Sequence, residues 1–434
     1  MNRALVRACL FCGFIFSNAT AQDDPFAAFL DPLVDELFIP GYYLAIFDSS
    51  GMIYERGRGF ADEIDNIAPT KDVLYSVQSL TKPLTSLLLL RLNDLELVNL
   101  DTPVSNYLPE FSSMILADNV TSGNGTSSSP ENLTVRSLLT HTSGLTYSSS
   151  FNGISTVSSI YKNLGIFEME SERLNTIGPL KEHVKKLAEL DLISPPGERF
   201  NYSVSLDVAG RLAEVATGIP FSDALKKYIL EPLNMTSSYF KVPEEKFQAL
   251  SRLYTPLIRT YPIPGNYRRF QEFRNMPGGY KNFGQSENLY ESGGHGLITT
   301  GDDYSKFLKF ILNYDPQKDA YFLSESTFDA FLTHQLPDSL GPKAMEDSLP
   351  ELSGKGFSYG LGITLSDGGS LGDSSTYDYY FWNAAPEWSA GTNSHFWIDR
   401  DLGLGLIFLS SLMSADNLIT DKTHGIAEEY FGSE

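Results

Sequence analysis

The sequence predicts an α/β fold in which one sheet draws strands from both ends of the chain and a helical region is inserted between them. Three observations carry this expectation. Strand-like runs lie near the N-terminus, at 42–48 and 52–60, on either side of Asp48-Ser49-Ser50-Gly51, a hairpin signal. Strand-like runs return near the C-terminus, at 359–364, 394–399 and 405–412. The stretch between these two groups reads mostly helical.

In chain order, an amphipathic start over 24–38 precedes Ile39-Pro40-Gly41 and the first strand. The segment 80–95 is strongly apolar and helical, with Leu84, Leu87, Leu88 and Leu92 on one stripe. Residues 112–134 are rich in Ser, Gly and Asn and are expected to form an exposed loop. Three N-x-[ST] sequons fall there, at Asn119, Asn124 and Asn132, with others at Asn201 and Asn234; in a eukaryotic host they would be glycan acceptors. Helices are expected over 180–190, over 206–217 with Gly218 as its close, and over 222–230. Another, over 301–312, opens with Thr300-x-x-Asp303, a capping pattern. A last helix covers 416–431.

The chain has 434 residues, 42% of them apolar, including 28 Phe and 23 Tyr, enough for a sizeable core. The first 21 residues read as an export signal: Arg3 and Arg7, a short apolar run over 8–16, and a small-x-small site at Ala19-Thr20-Ala21. The expected mature protein is then one domain over 22–434, secreted or periplasmic, with no membrane insertion, because the apolar run is too short to span a bilayer. Both cysteines, Cys9 and Cys12, fall inside the signal, so no disulfide, thiolate or cysteine-metal chemistry is expected. A formal charge of −22 argues against nucleic acid as a partner. The 6 histidines show no H-x-x-x-H or H-E-x-x-H spacing, so neither a metal nor another cofactor is expected.

The chemistry is carried by Ser79-Leu80-Thr81-Lys82, an S-x-x-K motif. At the start of a helix, positions i and i+3 share a face, so the lysine amine reaches the serine hydroxyl. Serine is a weak nucleophile until a base takes its proton, and lysine serves only when its pKa falls well below ~10.4. The same spacing recurs at Ser159…Lys162 and Ser238…Lys241. Only Ser79 follows a strand-and-turn run and opens a long apolar helix, with Pro83 tolerated in its first turn; the other two are read as solvated surface pairs. Gly368-Gly369-Ser370-Leu371-Gly372 matches G-x-S-x-G, but that elbow needs a strand before it and a helix after it. Asp, Gly and Ser surround it here, so it is read as a loop.

The chain resembles the serine β-lactamase-related family, and within it the class C-like carboxylesterases. The residues carrying the resemblance run in order from Ile39-Pro40-Gly41 through Ser79-Leu80-Thr81-Lys82-Pro83 to Leu138-Leu139-Thr140-His141-Thr142-Ser143-Gly144-Leu145. They continue with Pro196-Gly197, Phe200-Asn201-Tyr202-Ser203, Glu231-Pro232-Leu233-Asn234-Met235 and Gly293-Gly294-His295-Gly296-Leu297, and end with Tyr359-Gly360-Leu361-Gly362 and Trp397-Ile398-Asp399. The resemblance implies a β-lactamase/transpeptidase-like fold, an antiparallel sheet flanked by helices. It makes Tyr202 the catalytic tyrosine. Where β-lactamases have Tyr-x-Asn, this chain has Tyr202-Ser203-Val204. Where they have Lys-Thr-Gly, it has Trp388-Ser389-Ala390, which resembles the esterase branch in its tryptophan at the first position. By the same resemblance, the oxyanion hole uses the backbone N–H groups of Ser79 and Gly391. Trp388, Ser389, Ala390, Val204 and His295 would face substrate, and His141 would be structural.

The expected function is hydrolysis of small or medium acyl esters through an acyl-enzyme on Ser79, with Lys82 and Tyr202 moving protons. A β-lactamase or D-amino-acid peptidase is the alternative, although it lacks the usual asparagine and lysine. Acyl transfer to an alcohol acceptor differs only in the acceptor. An inactive binding protein on the same fold is disfavoured by the intact Ser79, Lys82 and Tyr202. The expected partner is a small-molecule ester.

Overall fold

The computed structural model describes residues 24–116, 132–147, 161, 178–256, 270–272, 290–341, 343–346, 348–349, 352–366, 369–383, 392–413 and 417–432. Helix α1 (Pro25–Asp35) begins where Asp24 caps it, its carboxylate accepting the Ala27 N–H at 2.9 Å. The strands are β1 (Gly41–Phe47), β2 (Met52–Gly59), β3 (Tyr75–Ser76), β4 (Tyr254–Pro256), β5 (Phe270–Glu272), β6 (Ile298–Thr299), β7 (Gly356–Phe357), β8 (Gly362–Leu365), β9 (Tyr377–Asn383), β10 (His395–Asp399) and β11 (Leu404–Leu409). Seven of them make the main sheet, in the order β2-β1-β11-β10-β9-β8-β7, and every adjacent pair is antiparallel. The two ends of the chain meet inside this sheet, where Tyr43 faces Leu409 and Phe47 faces Gly405.

The expected hairpin at 48–51 joins β1 to β2. β1 is buried at every position, as a strand covered on both faces must be. β2 is an edge strand of alternating exposure that carries Glu55, Arg56 and Arg58, charges that blunt an open edge. Successive strand residues point to opposite faces, and β10 shows what covers each. Phe396 meets the ring of Tyr304 on α6 (Gly301–Asn313), whereas the Trp397 indole donates to Thr423 on α7 (Asn417–Phe431). Thr300 caps α6 as expected, its hydroxyl accepting the Asp303 N–H.

The helical middle is built on α2 (Thr81–Asp94). The expected stripe Leu84, Leu87, Leu88 and Leu92 is buried, but so are Thr81, Lys82, Thr85, Ser86, Leu89 and Leu90. The helix is therefore central, enclosed nearly all round, rather than amphipathic. Around it lie α3 (Val135–Leu139), α4 (Leu180–Leu187) and α5 (Ser205–Thr217), the last closed by Gly218 in the left-handed conformation (φ 73°).

Two expectations need correction. The run 359–364 is not one strand: Gly360 adopts φ 93° and makes the turn of a tight hairpin between β7 and β8, with Ser358 donating to the Leu361 carbonyl. The aromatic stretch that forms β9 was not expected as a strand, yet it is central in the sheet. Among the described residues, no helix is long and apolar enough to cross a membrane. Residues 1–21 lie outside the described residues, as do Asn119 and Asn124 of the sequon-bearing loop.

Candidate active site

Ser79 sits in a single 3-10 turn (Gln78–Leu80) that runs directly into α2. Strand β3 delivers the chain to this point by pairing with β6, and Leu297 anchors the turn by accepting the Val77 N–H and donating to Thr81 Oγ1. Gln78, immediately before the serine, is held at φ 47°, in the region few non-glycine residues occupy. The geometry places Ser79 at the helix N-terminus, where the first backbone N–H groups lack intrahelical partners.

Lys82 is fully buried, one turn along. Its Nζ lies 2.9 Å from Ser79 Oγ and donates to the Gly294 carbonyl at 2.7 Å. Burial pushes the amine down to about 7, against the raising effect of the nearby Asp207 carboxylate. A lysine in this state releases its proton near neutral pH, which is the requirement set out for S-x-x-K. Tyr202 donates its hydroxyl to Ser79 Oγ at 2.7 Å, and Lys82 Nζ stands 4.6 Å from the centre of its ring. Two of the expected groups, from positions 82 and 202, therefore converge on the hydroxyl oxygen of the third, Ser79.

The segment 138–144 is the bed on which Tyr202 lies. The His141 carbonyl accepts the Asn201 N–H, and the Thr142 carbonyl accepts that of Gly197. His141 Nδ1 accepts the Ser203 N–H at 3.3 Å, and its ring lies 4.8 Å from that of Tyr202. Burial, and then the Lys82 charge, holds His141 well below the usual imidazole range, so it is a neutral spacer. Asn201, read as a sequon, is fully buried and donates its amide to the Leu145 carbonyl, which leaves no room for a glycan.

Val204 is buried immediately before α5 and offers no polar side-chain contact. His295 is buried, with Nδ1 2.8 Å from Ser292 Oγ; burial and then the Lys82 charge push it down to about 3. Its described partners belong to the turn behind Lys82. Trp388, Ser389, Ala390 and Gly391 lie outside the described residues, and so do Ser159 and Lys162. Ser238 bonds Thr299 and Asp303 while Lys241 is exposed, so that S-x-x-K is a surface feature. Ser370 is exposed in a loop, without the strand and helix an elbow requires.

Three contributors escaped the sequence reading. Asp207 is fully buried near Lys82, with Tyr290 and Ser292 bonded to its carboxylate. Tyr147 sets its ring 5.7 Å from Lys82 Nζ. Trp382, from the unexpected strand β9, lies 6.0 Å from the Tyr202 ring. Only Asp207 could have drawn notice, as an acid in an otherwise apolar helix start. Helical spacing, however, groups it with Arg211 and Glu214 on a face that reads as solvated. The one metal-ligand-like group among the described residues, Asp378, Asp399 and His424, lies where α7 packs on the sheet.

A hydroxyl nucleophile held by a lysine and a tyrosine, at the head of a buried helix beside an antiparallel sheet, defines a serine hydrolase of the β-lactamase fold. The chain belongs to the Beta-lactamase family, whose model matches residues 26–429. It is 30% identical over 400 residues to Esterase EstB of Burkholderia gladioli, covering 89% of this chain and 90% of that protein. It is 28% identical over 346 residues to Lovastatin esterase of Penicillium rubens, covering 76% and 77%. Among solved structures it shares its fold with Simvastatin Synthase (LovD) from Aspergillus terreus, at a TM-score of 0.68 and 23% identity, over 92% of this chain and 96% of that one. EstCE1, a hydrolase with promiscuous acyltransferase activity, matches at a TM-score of 0.67 and 21% identity, over 88% and 91%.

Proposed function

We propose that the protein hydrolyses small or medium acyl esters through an acyl-enzyme on Ser79. The observation that carries this is the convergence of Lys82 Nζ (2.9 Å) and Tyr202 OH (2.7 Å) on Ser79 Oγ, with the lysine brought down to about 7. Lys82 takes the serine proton as Oγ attacks the ester carbonyl, and Tyr202 passes a proton to the leaving alkoxide. The tetrahedral oxyanion is met by the backbone N–H groups of Ser79 and, in this reading, Gly391. Water then attacks the acyl-enzyme by the reverse sequence. In this reading Trp388 would offer the acyl group an apolar wall, the small side chains of Ser389 and Ala390 would let substrate approach the backbone closely, and His295 would stand beside them.

Neutral esters are preferred over β-lactams because Val204 supplies no amide and Trp388 no positive charge for a carboxylate. A charge-assisted hydrogen bond contributes roughly 1.5–3 kcal/mol, so its loss costs about ten- to a hundredfold in kcat/KM. The test compares p-nitrophenyl butyrate, nitrocefin and a D-Ala-D-Ala peptide on one preparation. The ester should lead by at least that margin, and parity with nitrocefin would overturn the preference. Transfer of the acyl group to an alcohol is favoured as a second reading by the relatives. One of them, 28% identical over 357 residues, is Monacolin J acid methylbutanoyltransferase of Aspergillus terreus. Adding an alcohol acceptor should then yield a new ester at the expense of free acid. We also propose export, with removal of residues 1–21; the mature N-terminus read by mass spectrometry should be Gln22.

A further inference from the structure

The steps above leave Asp207 without a task, although it is a fully buried carboxylate close to the reacting groups. It stands in the first turn of α5, and its Oδ1 accepts from Tyr290 OH at 2.8 Å and from Ser292 Oγ. Ser292 Oγ in turn accepts the backbone N–H groups of Gly294 (3.1 Å) and His295 (3.0 Å). These bonds fold residues 292–295 into a tight turn that presents two carbonyls to α2. Gly293 O takes Thr85 Oγ1 at 2.7 Å, and Gly294 O takes Lys82 Nζ at 2.7 Å. The carboxylate lies directly behind this turn: a Cβ at Gly294 would stand 2.9 Å from Asp207 Oδ2, which has no hydrogen-bond partner among the described residues. Only glycine lets the turn lie this close to the acid.

We propose that Asp207 is a positioning residue of this site, which holds Lys82 on Ser79 through Ser292 and the Gly293–Gly294 turn and whose negative charge sets the pH range in which the lysine works. This rests on the reading that Lys82 activates Ser79. The groups around the amine give Asp207 that control. Tyr202 and Tyr147 turn their rings to Lys82, and His141 and His295 are kept neutral by burial. Tyr290 is held well above the usual phenol range by burial and then by Asp207. Burial raises Asp207 itself, while Ser292, Tyr290, Lys82 and the Gly294 N–H act to keep it ionised. The carboxylate is thus the charge that opposes the desolvation of Lys82.

The experiment follows Ser79 phosphonylation by a fluorophosphonate against pH, read by mass spectrometry on the Ser79 peptide, so it needs no ester turnover. Asp207→Asn keeps an acceptor for Tyr290 and Ser292 but removes the charge. The acid limb should move down by about one pH unit, and the plateau rate should fall several-fold because the base is weaker. An acid limb that coincides with the parent's overturns the proposal, whatever happens to the plateau, since a merely structural carboxylate would leave it in place. If Asp207→Asn does not fold, Tyr290→Phe and Ser292→Ala replace it. Each strips one hydrogen bond from the carboxylate, favours its neutral form and should move the limb the same way; unmoved limbs in both overturn the proposal. Failure of the ester reading looks different, with phosphonylation of Ser79 intact but no turnover of p-nitrophenyl butyrate. Failure of the nucleophile assignment would put the adduct on another peptide.

Discussion

Ser79, Lys82 and Tyr202 share one oxygen, and their effects should therefore be strongly non-additive. Lys82→Ala and Tyr202→Phe are each expected to lower kcat by several orders of magnitude, with the double variant little worse than either. Near-normal kcat in Tyr202→Phe would make the tyrosine structural and leave Lys82 as sole base. The pH dependence follows from the lysine. Only the neutral amine accepts a proton, and burial brings its pKa to about 7. Below that value the neutral fraction falls tenfold per unit, so kcat/KM should rise with unit slope up to about pH 7 and then level off. A profile rising instead near pH 10 would mean an unperturbed lysine and a different base. At this scale the Ser79–Lys82 contact was legible because i and i+3 on a helix are neighbours whatever the rest of the chain does. Asp207 was not, because its approach to Lys82 depends on α5 lying against α2, which no local pattern encodes.

Among the elements, α2 depends on what is pressed against it. The β7–β8 turn packs on its first turns: a Cβ at Gly360 would stand 3.0 Å from Ser86 Oγ and 3.3 Å from Pro83 Cα, at a backbone φ of 93°. Gly360→Ala is expected to cost about 1–3 kcal/mol, read as a lower midpoint in urea with an unchanged slope. No loss would show that the hairpin relaxes away from α2 freely. Helix α7 is tied to the sheet by Asp399, which accepts His424 Nε2 at 2.9 Å and the backbone N–H groups of Asp401 and Leu402. Asp399→Ala strands the buried His424 ring and unties two half-buried N–H groups, and should cost roughly 2–4 kcal/mol, with hydrogen exchange accelerated first in α7. Uniform exchange across the molecule would contradict a local anchor. Most helices were legible from their caps and apolar spacing, as α6 was from Thr300 and Asp303. β9 escaped because Tyr377–Asn383 follows a polar, glycine-rich loop and is buried on neighbouring positions as well as alternate ones, so it shows no period of two.

For the molecule as a whole, the decisive contact joins its two ends. β1 and β11 pair over Tyr43–Phe47 and Gly405–Leu409, and α1 meets α7 where Phe26 lies 6.3 Å from Phe431. A chain cut after residue 403 loses β11 and leaves β1 and β10 with open, buried-type edges. It is expected to be unfolded or aggregated by circular dichroism and size exclusion; a soluble, cooperative fragment would show that the helical middle folds alone. By itself the sequence determined the α/β class, the flanking strand groups, the helical middle and the Ser79–Lys82 pair. Each of these rests on spacing within a few residues or on an ordered set of motifs. Tertiary structure alone decided that α2 is enclosed rather than amphipathic, that 359–364 breaks at Gly360, that Asn201 is sealed in the core and that Asp207 stands behind Lys82. The physical reason is common to all four: burial and electrostatic coupling depend on which surfaces meet, and those surfaces come from segments tens to hundreds of residues apart.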